Sequence, residues 1–230
     1  MNRYICLFFA FIVLVLTFSA CSSDVSEEKI CECEMKPDSI PSLSHEILAE
    51  LNHLRTSPGI YAEYLKNRRK YYSGRYYYIS DTSSIYTEEG IIALNEAIDV
   101  LEKTDSMKPL KMNECLYLAA LYHVDDIGPM GRCTHDSYNG EKASQRIRRY
   151  AACVKMIGEC IDYGSTDARD IIISLIVDDG VPSRGHRKLL LEPGFEYVGI
   201  ASGFHLRYKS MTVIDLFAGK VSGRKYSMLQ

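Results

Sequence analysis

The apolar residues of this chain change their period along its length, and that change limits the fold more than any single motif. From Ser44 onward, Ile47, Leu48, Leu51 and Leu54 recur at helical spacing until Thr56-Ser57-Pro58, where the proline closes one helix or opens the next. Ile60, Tyr61 and Leu65 suit a second short helix. Beyond Thr87, read as a cap, Ile91, Ile92, Leu94, Ala97, Ile98 and Leu101 form a third apolar stripe, and Leu116, Ala119, Ala120, His123 and Ile127 a fourth. Ala168 to Val177 is apolar along most of its length and fits either a buried helix or a buried strand. Strand chemistry dominates only later: Tyr197-Val-Gly-Ile-Ala and Met211-Thr-Val-Ile-Asp-Leu-Phe are β-branched and aromatic. Helices first and strands late predict a layered α+β domain.

The N-terminus sets the compartment. Met1-Asn2-Arg3 precedes an almost purely apolar run from Tyr4 to Ala20, a charged n-region followed by an h-region. Ser19-Ala20-Cys21 resembles the lipobox of bacterial lipoproteins, with Phe18 where that pattern usually has Leu. The alternatives are a plain secretory signal cut near Ala20 and an uncleaved anchor. All three place the rest of the chain outside the cytoplasm, in the cell envelope, and lipidation of Cys21 would hold it at the outer membrane or cell surface. The predicted organisation is a lipoprotein signal peptide over 1–20, an acidic tether over 21–42, a folded domain over 43–219 and a tail over 220–230.

Composition excludes some partners. Lys+Arg number 27 against Asp+Glu 30, a net charge of -3, which argues against nucleic acid because binding phosphates needs a basic surface. Hydrophobic residues at 47% and charged residues at 25% are sufficient for a packed core. Setting aside Cys6 and Cys21, six cysteines remain at 31, 33, 115, 133, 153 and 160, and an even count in an exported chain suggests disulfides. Their pairing is open, and no C-x-x-C spacing points to a redox or structural zinc site.

Polar residues that could carry chemistry fall in three stretches read as turns: Cys133-Thr134-His135-Asp136, Gly158-Glu159-Cys160, and Asp178-Asp179-Gly180-Val181-Pro182 running on to Gly185-His186-Arg187. Two histidines and one or two carboxylates converging from them could hold a divalent metal, zinc above others, with an open position for water. A calcium loop at Asp178-Asp179 is disfavoured, since alternating oxygen ligands are lacking. Arg184 and Arg187 would keep the cleft mouth positive. His123 reads as a packing histidine, His205 as a strand-end or loop residue, and His45 and His53 as solvated. The Tyr- and Arg-rich stretch Asn67 to Ser84 reads as an inserted surface loop rather than a base- or sugar-stacking platform.

Taken in order, Leu116-x-x-Ala119-Ala120-x-x-His123, Thr134-His135, Gly158-Glu159, Gly185-His186-Arg187, Pro193-x-Phe195, Val198-Gly199 and Asp215-Leu-Phe217-Ala resemble the CAP superfamily, named for cysteine-rich secretory proteins, antigen 5 and pathogenesis-related proteins. The resemblance covers about Ser44 to Gly219 and implies a CAP-type α-β-α sandwich with a central cleft lined by two histidines and two acids. By position the histidines are His135 and His186 and the first acid is Glu159, followed here by Cys160 where the family has Asn. The family's second acid follows a Trp by three residues; this chain has no Trp, and with Ile176 in its place the counterpart is Asp179, with Asp178 next.

Three functions follow. The first is recognition at the cell surface, with the cleft taking a metal or a small ligand, lipid or protein partners being among those the resemblance implies. The second is metal-assisted hydrolysis with Glu159 as general base and so as a catalytic residue; no Gly-x-Ser-x-Gly or His-Glu-x-x-His motif supports it. The third is partner binding through the Tyr-rich insertion.

Overall fold

The computed structural model describes residues 39–150 and 154–219. The stretches read as a signal peptide and a tail, and Cys21 with most of the predicted tether, lie outside the described residues. One end of the tether does not: Ile40, counted as linker from sequence, is buried against Tyr117, Val124 and Ile127.

Helix α1 (Ser42–Thr56) begins two residues before Ser44, which is itself buried inside it. Pro58 then occupies the first turn of α2 (Pro58–Arg68), where its missing N–H and fixed φ cost nothing. The stretch expected to be a loop instead folds as a 3₁₀ turn at Arg69–Tyr71 and a small antiparallel sheet of β1 (Tyr72–Ser73), β2 (Tyr76–Ser80) and β3 (Ser83–Tyr86). Alternation along β2 explains it: Tyr72, Tyr77 and Ile85 are cross-strand partners on the face turned to the protein, while Tyr76 and Tyr86 pair on the outer face. Helix α3 (Ile91–Leu101) starts after Gly90, whose φ of 63° favours glycine; the Thr87 hydroxyl does not cap it but donates to the Arg75 carbonyl at 2.8 Å.

The central sheet has the order β4-β6-β7-β5, from β4 (Lys111–Met112), β5 (Val154–Tyr163), β6 (Tyr197–His205) and β7 (Lys209–Gly219); β4 runs parallel to β6 and the other pairs are antiparallel. Side-chain alternation divides it into two faces. Cys160, Val198, Ile200, Ile214 and Leu216 point into the large core shared with α1, α2, α3 and α6 (Ala168–Val177), with α7 (Gly185–Leu190) closing the same layer. On the opposite face Ile157, Ile161, Val213 and Phe217 meet α4 (Glu114–Ile127), beside which lies the short α5 (Ala143–Arg148). The result is an α-β-α sandwich.

The sheet also corrects one local expectation. Gly158-Glu159-Cys160 is not a turn but the middle of the long strand β5. Of the cysteines whose pairing the sequence leaves open, Cys133 and Cys160 are thiols outside any disulfide, Cys160 because strand alternation turns it into the apolar core. Cys115 is disulfide-bonded, and Cys31, Cys33 and Cys153 lie outside the described residues.

Candidate functional site

A cavity of about 410 Å³ opens between the small sheet, α6 and the central sheet. His135, His186 and Asp178 line its polar part, and Tyr72, Tyr77 and Ile85 from the small sheet form its roof. The insertion is therefore a wall of the cleft, which the sequence alone did not indicate.

His135 reaches the cavity from the loop after α4. That loop is pinned from behind by His123, whose Nε2 lies 2.9 Å from the Thr134 carbonyl oxygen. His123 is fully buried, as a packing histidine should be, and burial lowers its pKa. The Nδ1 of His135 lies 2.7 Å from Glu159 Oε1 on β5. The other oxygen of Glu159 accepts from Arg146 Nη2, and Arg146 Nη1 also donates to the Ser137 hydroxyl at 3.1 Å. Burial alone would raise the Glu159 pKa; the Arg146 guanidinium and the His135 hydrogen bond overcome it and hold the carboxyl well below the usual range. Arg146, fully buried on α5, is the functional neighbour that sequence reading missed. Nothing in its spacing connects it to Glu159: Arg146 shares its short helix with Arg148, and the sequence does not single out either one.

His186 is the second residue of α7, not a turn residue. Its Nδ1 lies 2.7 Å from Asp178 Oδ1, and Asp178 Oδ2 accepts the backbone N–H groups of His186 at 2.9 Å and Arg187 at 3.3 Å. Asp178 ends α6 at φ 57°, ψ 43°, a left-handed conformation Asp tolerates better than most residues, and this turns its carboxylate back toward α7. Of the two adjacent aspartates, then, Asp178 is the one joined to a histidine. Asp179 lines the same cavity but accepts the N–H groups of Glu88 at 2.7 Å and Glu89 at 2.9 Å, tying down the loop between β3 and α3.

The two imidazoles face each other with centroids 6.4 Å apart. In each, a buried carboxylate engages Nδ1 and so fixes that nitrogen as an N–H, and in the neutral ring Nε2 then carries the lone pair. The carboxylates stand behind the rings and not beside them. Among the described residues no group of three or more His, Cys, Asp or Glu is placed to enclose an ion. The chemistry of the donor set fits a two-histidine site for a soft or borderline cation, with the remaining positions filled from outside the protein.

Arg184 and Arg187 do not make the mouth positive. Arg184 forks onto Glu89 at 2.6 Å and Glu96 at 2.7 Å, and Arg187 bonds Glu96 at 2.9 Å and the Ile176 carbonyl at 2.7 Å. Both are buried braces of the loop that presents His186. His205 is buried at the end of β6 against the Arg132 carbonyl, 3.1 Å away, and is not among the residues lining the cavity. His45 is exposed, whereas His53 sits edge-on to Tyr61 and Tyr64 at 5.8 Å.

A three-layer sandwich whose cleft holds two carboxylate-oriented histidines defines the class of protein. The profile of the cysteine-rich secretory protein family, CAP, matches residues 48–213, and the chain belongs to that family. Among solved structures it is similar to an outer surface protein of Borrelia burgdorferi, at 18% identity and a TM-score of 0.42 over 50% of this chain and 80% of that one. It is also similar to an extracellular SCP-domain protein of Bacillus anthracis, at 21% identity and a TM-score of 0.40, covering 48% of this chain and 34% of that one. A search of curated proteins gives no match.

Proposed function

We propose that this is an exported protein, lipid-anchored through Cys21, whose CAP cleft takes a divalent cation, zinc above others, or a small polar ligand between His135 and His186, and which acts by recognition at the cell surface. The observation that carries the reading is the matched orientation of the two rings: each Nδ1 is committed to a buried carboxylate, so both Nε2 atoms are left for one ligand. A bound zinc would supply Lewis acidity. His135 and His186 would hold it, while Glu159 and Asp178 fix the tautomers and strengthen the imidazoles as donors.

Geometry also favours recognition over hydrolysis. Glu159 is 6% exposed, and its carboxylate is committed to Arg146 and His135. A carboxyl held so far below its usual range is a weak base, and general-base catalysis needs one poised near the working pH. Export is supported by the apolar run Tyr4–Ala20, the cysteine that follows it, and the family. Calorimetric titration of zinc into metal-stripped protein tests the cleft: binding at micromolar Kd or tighter that disappears in His135→Ala/His186→Ala is the expected result. No binding, or binding that survives both substitutions, would make the histidines structural.

A further inference from the structure

The turn after α4 and the hairpin joining β6 to β7 form one protruding tip. The Leu206 N–H donates to the Gly128 carbonyl at 2.9 Å, and a Cβ on Gly131 would lie 3.3 Å from that of Leu206, so the two loops are packed directly together. The tip leaves Met130, Phe204 and Leu206 in solvent, 47%, 54% and 55% exposed. Arg132, Arg207 and Lys209, all exposed, belong to the same two loops, with Arg132 over the Tyr138 ring at 5.7 Å and Arg207 over the Tyr208 ring at 5.3 Å. Lys209 is held at φ 74°, where glycine or asparagine would be easier, so a cation stands at the hairpin despite the backbone strain it brings. Asp125 and Asp126 lie one turn back on α4, and Asp126 is engaged by the Tyr138 N–H at 2.6 Å. Isolated exposed apolar residues are ordinary; three on the same pair of packed loops as three exposed cations are the pattern of a surface that enters a lipid interface.

A second observation concerns where the described chain enters the domain. Ile40, at the start of the described chain, packs among Val124, Ile127 and Met211, and Met211 Sδ lies 3.2 Å from where a Cβ on Gly128 would stand. The described chain therefore begins at the end of the domain that bears the tip. We infer that Met130, Phe204 and Leu206, with Arg132, Arg207 and Lys209, form a docking surface for an anionic phospholipid bilayer. The apolar side chains enter the boundary between headgroups and acyl chains while the cations pair with headgroup phosphates. Tyr208 of the same hairpin lines the cleft, so docking holds the cleft against the headgroup layer.

The proposal goes beyond the reading of the cleft and relies on the anchor only to supply a nearby bilayer. The chain contains no tryptophan, so one introduced residue is an unambiguous fluorescent reporter. The full chain carrying Phe204→Trp, or Leu206→Trp as a second position, is mixed with vesicles of phosphatidylcholine plus phosphatidylglycerol and with vesicles of phosphatidylcholine alone; Ile92→Trp, at an exposed position of α3, is the control. A blue shift and quenching by brominated acyl chains are expected at the tip and not at position 92, with anionic vesicles only, and should be lost when Arg207→Glu and Lys209→Glu are added. An unshifted tip, a shift equal to that of the control, or a shift that appears without vesicles through self-association would overturn the proposal. Membrane fractionation of Cys21→Ala reports on the anchor separately, and zinc titration on the cleft, so failure of one is not failure of another.

Discussion

Glu159 on β5 and Asp215 on β7 stand directly opposite each other, buried on the face covered by α4, and they are driven to opposite protonation states. Arg146 and His135 keep Glu159 ionised against its burial, while burial and the charge of Glu159 push Asp215 well above the usual range. Asp215 is thus an acid in the fold but a carboxylate in the unfolded chain. Its contribution to stability is fully present below its unfolded value of 3.8 and is lost as pH rises toward its raised folded value. Asp215→Asn removes that loss, so the variant should gain on the native protein between pH 4 and pH 8 in urea unfolding, while remaining within about 1 kcal/mol of it at pH 4.

Glu159→Gln should behave in the opposite way. It leaves the Arg146 guanidinium buried without its counter-charge, a change that costs about 3–5 kcal/mol when one partner of a buried pair is removed. Because Glu159 is depressed, its stabilisation is fully present above its unfolded value of 4.5 and is lost progressively as pH falls below that value toward its lowered folded one. The difference between native and variant unfolding free energies should therefore be full at pH 7 and shrink in acid.

The layer contact between α4 and the sheet depends on Gly199. A Cβ at that position on β6 would fall inside the Leu116 carbonyl and the Tyr117 nitrogen of α4, which are backbone atoms and cannot rotate away. Gly199→Ala should destabilise the domain by about 3 kcal/mol or more, at the upper end of overpacking costs, read as a drop in Tm. Gly74→Ala, with no atom within 4 Å of its would-be Cβ, is the milder comparison and carries only the strain of its positive φ.

Thiol reactivity should separate Cys133 from Cys160. Cys160 lies in the core, where burial pushes its thiol pKa up, with Asp178 adding to the shift. It should be inert to a thiolate-selective reagent in the native protein and react only on unfolding, while the partly exposed Cys133 reacts first. Mass spectrometry of peptides labelled under native and denaturing conditions gives the answer.

Much of the scaffold was legible because burial writes a period into a helix. The stripes at Ile47 to Leu54 and Leu94 to Leu101 became buried faces of α1 and α3. β5 was not legible, because it carries Gly158, Glu159 and Asp162 inside the protein, and a sequence does not show that a buried carboxylate has found Arg146 or that Asp162 has found the Ser165 N–H. The roof was hidden for a different reason: β2 places tyrosines on both faces, so its alternation of environment is not an alternation of residue type. At the site, the histidines and Glu159 stood out by their motifs, whereas Asp178 and Asp179, being neighbours of one kind, could be told apart only by backbone direction.

That distinction gives the last prediction. Asp178 holds the His186 ring and two backbone N–H groups of α7, whereas Asp179 holds two N–H groups of the loop before α3. Each loses cap-like bonds on truncation, so Asp178→Ala and Asp179→Ala should both cost about 1–2 kcal/mol of stability, the range for such bonds. Their effects on the cleft should differ. Removing Asp178 frees the His186 tautomer and ring, and should weaken zinc binding by about 10–100-fold, as loss of an orienting carboxylate does. Removing Asp179 leaves His186 oriented and should change zinc affinity little. Asp178→Asn, which keeps an acceptor oxygen for the imidazole but not the charge, should fall between the two. Equal zinc affinity in both alanine variants would mean that the carboxylate behind His186 does not prepare it as a ligand.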